Sequence, residues 1–317
     1  MSLNSQSIVL LRGALRRLAG AVVVLWAAVT VTFIGIRAMP GSVEDVVLGI
    51  HANEPGLREQ VRSSLGLDQP ILVQYFQYLG QIITGDFGRS FVLRADVSDV
   101  VFSQLGPTLQ LAGASLLTAL VVVWIIAVTT SGGSPRTERI IGIAELLAIC
   151  IPTFWAGSLL IIWFSFGLNW FPASGADGPA ALVLPTITLL LPLAGVLSQF
   201  MREEIGRQLR LPYVVSARSR GISEFRLRNV HLVPHAAVST LTVAGTLFGS
   251  LIGGAVIVET VFGRPGLGRV ALSAVGSQDT PVIIAVVVLI TTACVVISTV
   301  VDLIALWIDP RYREELA

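Results

Sequence analysis

The chain has 317 residues, 54% of them hydrophobic and 13% charged, with a mean hydropathy of +0.80; a soluble globule usually carries roughly 25% charged residues. All 21 basic residues are arginine, which excludes a Walker A lysine, a Schiff-base lysine and a Ser-Lys dyad. The formal net charge of +1 gives no electrostatic ground for nucleic-acid binding, and the composition predicts an all-α polytopic membrane protein.

A transmembrane helix needs roughly 20 mostly apolar residues. That rule predicts about six spans: Leu18 to Ala38, Thr108 to Thr130, Ile140 to Phe166, Leu182 to Met201, Ala236 to Val258 and Val282 to Trp307. The first has too long an apolar run for a cleaved signal peptide, and no small-residue cleavage site follows before Pro40. Arginine asymmetry sets the expected orientation. Arg12, Arg16 and Arg17 precede the first span, Arg136 and Arg139 flank the third, and Arg311 and Arg313 follow the last, whereas the loop from Asn169 to Ala181 has no arginine. With six spans, both termini and the Met201 to His235 loop are expected to be cytoplasmic.

The first span leads to the one long hydrophilic stretch expected outside, Met39 to Gly106, where eight acidic residues including Glu44, Asp45, Glu54 and Glu59 face four arginines. Leu65 to Pro70 reads as a turn between two amphipathic helices, and Gly85-Asp86-Phe87-Gly88 as another. Two roles remain open for this stretch: a cap that shields helix ends, or a docking surface for a soluble partner.

Within the spans, Pro152, Pro185 and Pro192 are expected to kink or open their helices. Glu145, Glu259 and Asp302 fall near span ends, where a structural role and a pathway contact are both open. Cys150 and Cys294 read as small buried hydrophobes. Gly245, Gly249 and Gly253 recur every four residues and predict a helix-packing seam, with a substrate-lining surface as the alternative. His231 and His235 are four apart without an intervening Glu, and His51 stands alone, so no metal site is expected. Ser115 and Ser250 lack a histidine in any apolar span, and no nucleophile elbow occurs. No cofactor and no catalytic residue are expected.

The Arg-rich loop from Met201 to His235 carries the functional signal. Pro212 suits a first helical turn and Gly221 a position just past a C-terminus, which predicts a short helix between them. Ser216, Ala217 and Ser219 permit close docking, and Arg218 and Arg220 offer donors to a partner's acidic or carbonyl groups. The other reading, a positive anchor beside anionic lipid, accounts for the charge but not for the Gly stop or the small residues.

With these residues the chain resembles the permease subunits of ATP-binding-cassette importers, in the dipeptide, oligopeptide and nickel branch. In that family a cytoplasmic loop carries Glu-Ala-Ala, three residues, then Gly, with a downstream Pro. Val215-Ser216-Ala217 through Gly221 and then Pro234 match the frame, with Val215 in place of the Glu and Pro212 where an acidic residue is common. Pro40-Gly41, Leu65-Gly66-Leu67-Asp68, Pro152-Thr153-Phe154-Trp155, Phe171-Pro172-Ala173-Ser174-Gly175, Glu259-Thr260-Val261-Phe262 with Pro265-Gly266-Leu267-Gly268, and Asp309-Pro310-Arg311 resemble the same branch in order and spacing.

The resemblance implies a type I importer permease fold, with ATPase coupling through Tyr213, Val215, Ser216, Ala217, Arg218, Ser219, Arg220 and Gly221. It implies a second homologous permease, two cytoplasmic ATPase subunits and an extracytoplasmic solute-binding protein as partners, and a plasma (inner) membrane location. Peptide import by alternating access is then expected, with a nickel-complex importer as the alternative inside the branch. An ATP-independent secondary carrier or channel is the alternative outside it. The domain reading is a segment 1–17, a permease domain 18–308 containing an outer region 39–106 and a coupling loop 202–235, and a tail 309–317.

Overall fold

The computed structural model describes residues 3–38, 48, 55–64 and 66–308, and of residues 3–18 only the backbone. Among the described residues the regular structure is helical, apart from one isolated bridge between Arg89 and Asp96. Pro40-Gly41, His51, Leu65, Asp309-Pro310-Arg311 and the side chain of Asp302 lie outside the described residues.

The chain divides into two compact units, Met1–Gly106 with Gly266–Val295, and Pro107–Pro265 with Val296–Ala317. The first unit holds α1 (Leu3–Ala38), α2 (Pro55–Ser64) and α3 (Ile71–Thr84). It also holds the start of α4 (Val97–Thr130), then α10 (Leu267–Gly276) and much of α11 (Thr280–Ile308). Its core is apolar, built from Val97, Val101, Leu267, Ala274, Val282 and Val286 with Phe87 and Leu105 packed on it. The expected turns are present. Gly66 (φ 64), Gly85 (φ 73) and Gly88 (φ 70) take the left-handed conformation that glycine allows at no steric cost. The buried Asp279 carboxylate then ties the following loop down, accepting from the Ser90 hydroxyl, from Phe91 N at 3.2 Å and from Val92 N at 3.3 Å.

The second unit contains the rest of α4, then α5 (Pro135–Cys150), α6 (Thr153–Leu160) with a π-helical extension Ile161–Gly167, and α7 (Ala180–Gln208). It continues through α8 (Pro212–Ser219) to α9 (Val233–Val261). The most enclosed span is α7, with 61% of its apolar window buried against 6% for α1. Leu111, Leu184, Leu197, Ile205 and Phe248 are among the most deeply buried side chains of this unit.

Among the described residues five helices are long and apolar enough to cross a membrane, and a sixth span results if α5 and α6 with its extension are counted as one. That pair bends by 99°, so the expected span from Ile140 to Phe166 is not one straight helix. Pro152 causes the break: it has no N–H to donate and disfavours helical geometry in the preceding residue, and Ile151 is extended at φ −69, ψ 121. Pro185 and Pro192, expected to interrupt their helix too, lie inside a continuous α7.

In the single chain the glycine seam meets a neighbouring helix at one of its three positions. A Cβ at Gly245 would lie 2.9 Å from Val301 Cγ1, a true close approach, but at Gly249 and Gly253 it would meet nothing within 4 Å. In the single chain those two glycines are exposed. The tight positions are instead Gly195, 2.8 Å from Ile149 Cγ1 and 2.9 Å from the Glu145 carbonyl, and Gly254, 2.9 Å from Leu189 Cδ1. Period-four spacing identifies a face, but which face meets a neighbour is set by the fold. Cys150, expected buried, is exposed, and Cys294 is intermediate.

Glu145 and Glu259 are more deeply enclosed than their sequence positions suggested. Glu145 is buried and accepts from Arg202 Nε at 2.9 Å and Nη2 at 2.8 Å, and from the Ser198 hydroxyl. Glu259 is fully buried and accepts from Thr108 Oγ1 at 2.6 Å. A buried carboxylate is tolerated when its oxygens are paired and hydrogen-bonded, so the structural role is the one these contacts display.

Candidate functional site

The polar loop between α7 and α9 is built from helix-end chemistry. After Gln208 a turn through Leu209 and Leu211 leads into α8, with Pro212 in the first turn, where its missing N–H costs nothing. The helix stops at Gly221, whose φ is 74. Gly221 N donates to Arg218 O at 2.9 Å and Ile222 N to Ala217 O at 3.3 Å, the paired bonds of a Schellman stop. Ser223 then caps the next turn by accepting from Arg226 N. The backbone widens to π geometry over Leu227–Leu232 just before Pro234 of α9, where proline removes a donor from the ordinary ladder.

Two residues fasten α8 to its own unit and the rest face outward. Val214 and Ala217 are buried, so Ala217, expected on the docking face, is an anchor instead. Tyr213, Val215, Ser216, Arg218, Ser219, Arg220 and Gly221 are exposed. Val215 and Phe225 expose 68% and 64% of their surfaces, and Leu211 is exposed beside them. Several exposed large apolar side chains on one polar loop mark a surface that gains by being covered.

The polar groups of the loop order it internally. Arg218 Nε donates to Glu224 Oε1 at 2.7 Å and Nη2 to Oε2 at 3.2 Å, closing α8 onto the turn that follows. The hydrogen bond from Arg218 holds the Glu224 carboxyl below its ordinary value, and Glu224 in turn raises Arg218. Arg218 therefore uses these donors inside the loop, whereas the sequence had assigned them to a partner. Arg220 Nε is bonded to Ser216 O at 3.1 Å. Tyr213 donates to Gln208 Oε1 at 3.1 Å, and desolvation raises its pKa. Beneath the loop, Arg228 Nη1 caps the end of α4 by donating to Val128 O at 3.2 Å and Thr129 O at 3.3 Å.

Leu211, Glu224, Phe225 and Arg228 belong to this arrangement and were not picked out from sequence. The Arg218–Glu224 contact spans a turn, so no helical spacing reveals it. Exposed Phe225 had a weak signal, as an aromatic residue within an Arg-rich run. Among the described residues no group of three or more His, Cys, Asp or Glu is placed to hold a metal ion.

Apolar spans joined by a polar loop that presents a short, firmly capped helix define a helical membrane protein. The chain belongs to the family of binding-protein-dependent transport system inner membrane components: residues 125–314 match that family's model, and residues 10–112 match the model of its N-terminal part. It is a multi-pass inner-membrane permease subunit of an ABC importer, of the peptide branch. Among its relatives is a Brucella abortus (strain 2308) protein named "Putative peptide transport system permease protein", 34% identical over 309 residues, which cover 94% of this chain and 98% of the relative. The glutathione transport system permease protein GsiC of Salmonella typhi is 34% identical over 305 residues, 96% of this chain and 99% of the relative.

Proposed function

We propose that this subunit forms one half of a peptide-conducting pathway, pairs with a second, similar permease, and is driven by two ATPase subunits. One of those ATPases docks on α8. The observation that carries this reading is the α8 surface itself, where Tyr213, Val215 and Phe225 stand exposed around a helix with a firm Schellman stop. Val214 and Ala217 root the helix in the unit's interior, so a displacement of α8 is transmitted to the helices on either side. Its own role is conduction without bond chemistry: ATP hydrolysis belongs to the partners, and a binding protein delivers substrate on the opposite face. Both termini are cytoplasmic in this reading, from the arginine asymmetry.

The names of the relatives support peptides as the substrate class, with glutathione-like peptides included. The exposed small-residue face of α9 around Gly249 and Gly253 is where the second permease or the pathway would lie. Uptake by the reconstituted complex, with its binding protein and labelled dipeptide, oligopeptide, glutathione or nickel complex, tests the reading. ATP-dependent uptake of a peptide supports it. Uptake by the isolated subunit without ATPase identifies a secondary carrier and refutes it, and uptake of the nickel complex alone moves the subunit to that substrate.

A further inference from the structure

The helix α3 is fourteen residues, Ile71–Thr84, without a single charged side chain. At about 100° per residue, Leu72, Phe76, Leu79 and Ile83 fall within about 60° of one another. Gln74, Gln77 and Gln81 form a stripe on the opposite side. Between these stripes lies the side that holds Tyr75 and Tyr78, and this side meets α1. Tyr75 shares a 2.7 Å hydrogen bond with Thr30 and packs edge-on against Phe33 at 5.3 Å, and Tyr78 lies 5.5 Å from the same ring.

The Arg37 end of α1 fixes where water begins. The guanidinium of Arg37 stacks over Phe33 at 4.3 Å and donates to Gln74 on the polar stripe, and a charged head near a span end sits at the interface. Thr30 lies seven residues deeper in the span, about 10 Å along the helix axis. The contacts of α3 therefore run from headgroup level down into the apolar part of α1. On that part, Val31 and Ile34 are themselves exposed for lipid. On α3, Leu72, Phe76 and Ile83 are exposed as well, at 70%, 67% and 84%.

We propose that α3 is a membrane-lying helix whose Leu72, Phe76 and Ile83 stripe is covered by lipid acyl chains at the Arg37 end of α1. Its glutamine stripe faces water and its tyrosines pin it to α1. A helix with opposed apolar and polar faces suits this position, since amphipathic helices bury the apolar face about 5–10 Å into the headgroup and acyl boundary, and tyrosine is favoured at that level. The region between the first two spans then has a lipid-anchored floor, and only what stands above it is available to a soluble partner.

The test uses the full importer in phosphatidylcholine and phosphatidylglycerol nanodiscs, with Cys150→Ser and Cys294→Ser removing the native thiols. Nitroxides are placed singly through Phe76→Cys, Ile83→Cys, Gln77→Cys and Gln81→Cys, all at positions exposed in the chain. Collision with oxygen, which concentrates among acyl chains, is expected to exceed collision with water-soluble nickel chelate several-fold at positions 76 and 83. The order should invert at 77 and 81. Dominance of the nickel chelate at 76 and 83 would place the stripe in water and overturn the proposal; protection from both probes would mean that a protein covers it, with the same result. Phe76→Trp gives a label-free reading, since brominated acyl chains should quench it and absent quenching refutes the idea. None of these outcomes depends on substrate or on ATPase coupling, so the functional reading stands or falls separately.

Discussion

Replacing Gly221 by Val isolates the contribution of the Schellman stop, because a Cβ at Gly221 meets no atom within 4 Å and the only obstacle is the backbone conformation, φ 74. Left-handed geometry costs an ordinary L-residue about 1–2 kcal/mol, and a β-branched side chain tolerates it worse. If the loop leaves this conformation it escapes that cost but gives up the Gly221 N to Arg218 O and Ile222 N to Ala217 O bonds, each worth about 1 kcal/mol net. Either way a cost near 2 kcal/mol lowers the population of the docking-ready loop about 30-fold, at 1.4 kcal/mol per factor of ten. Gly221→Asn is the control, since Asn adopts left-handed geometry readily. In proteoliposomes containing the assembled complex, Gly221→Val should lose most substrate-stimulated ATP hydrolysis and uptake while inserting normally, and Gly221→Asn should stay close to the parent. Equal, undiminished stimulation in both variants would show that ATPase motion does not enter through the end of α8.

The remaining expectations concern the neighbouring structure. Arg218→Glu should weaken coupling by facing Glu224 with a like charge, and adding Glu224→Arg should restore it; failure of the double variant to recover would mean that Arg218 acts on a partner after all. Because Arg218 lowers the Glu224 pKa, the pair should stay closed at neutral pH and open only as pH falls through that lowered value, so the protection factor at Gly221, corrected for the intrinsic exchange rate at each pH, should fall only in acid. Glu145→Gln leaves Arg202 without its charged partner; loss of one member of a buried pair costs about 3–5 kcal/mol, and the lower end applies because Arg202 is 20% exposed. Thermal unfolding of the purified complex should drop accordingly, and Glu145→Gln with Arg202→Gln should regain part of the loss. Gly195→Ala should destabilise by about 1–3 kcal/mol through overpacking against the Glu145 carbonyl, whereas Gly249→Leu should leave subunit melting unchanged and reduce only pairing or transport. Cysteines placed singly at Ser174 and Ser216 in a background without Cys150 and Cys294 should label from opposite membrane faces, and labelling of both from one face would overturn the topology.

Composition and hydropathy alone determined that this is a helical membrane protein with about six apolar runs, because burying backbone polar groups in lipid leaves helices as the economical solution for long apolar runs. The short helix α8 was equally legible: Pro212 and Gly221 act through local backbone preferences that need no tertiary context. The turns at Gly66 and Gly85 were readable for the same reason. What the tertiary structure decided is everything that depends on which face meets which neighbour. Gly249 and Gly253 share a spacing with Gly245, but only Gly245 lies against Val301, while at Gly195, in no motif, a Cβ would collide with Ile149 and the Glu145 carbonyl. Ala217 looked like part of a docking face and is an anchor, and Arg218 looked free for a partner and is closed on Glu224 across a turn. Sequence spacing fixes the angle of a side chain about its own helix axis. The rotation and depth of that helix are set by packing against the others, and only the folded chain contains that information.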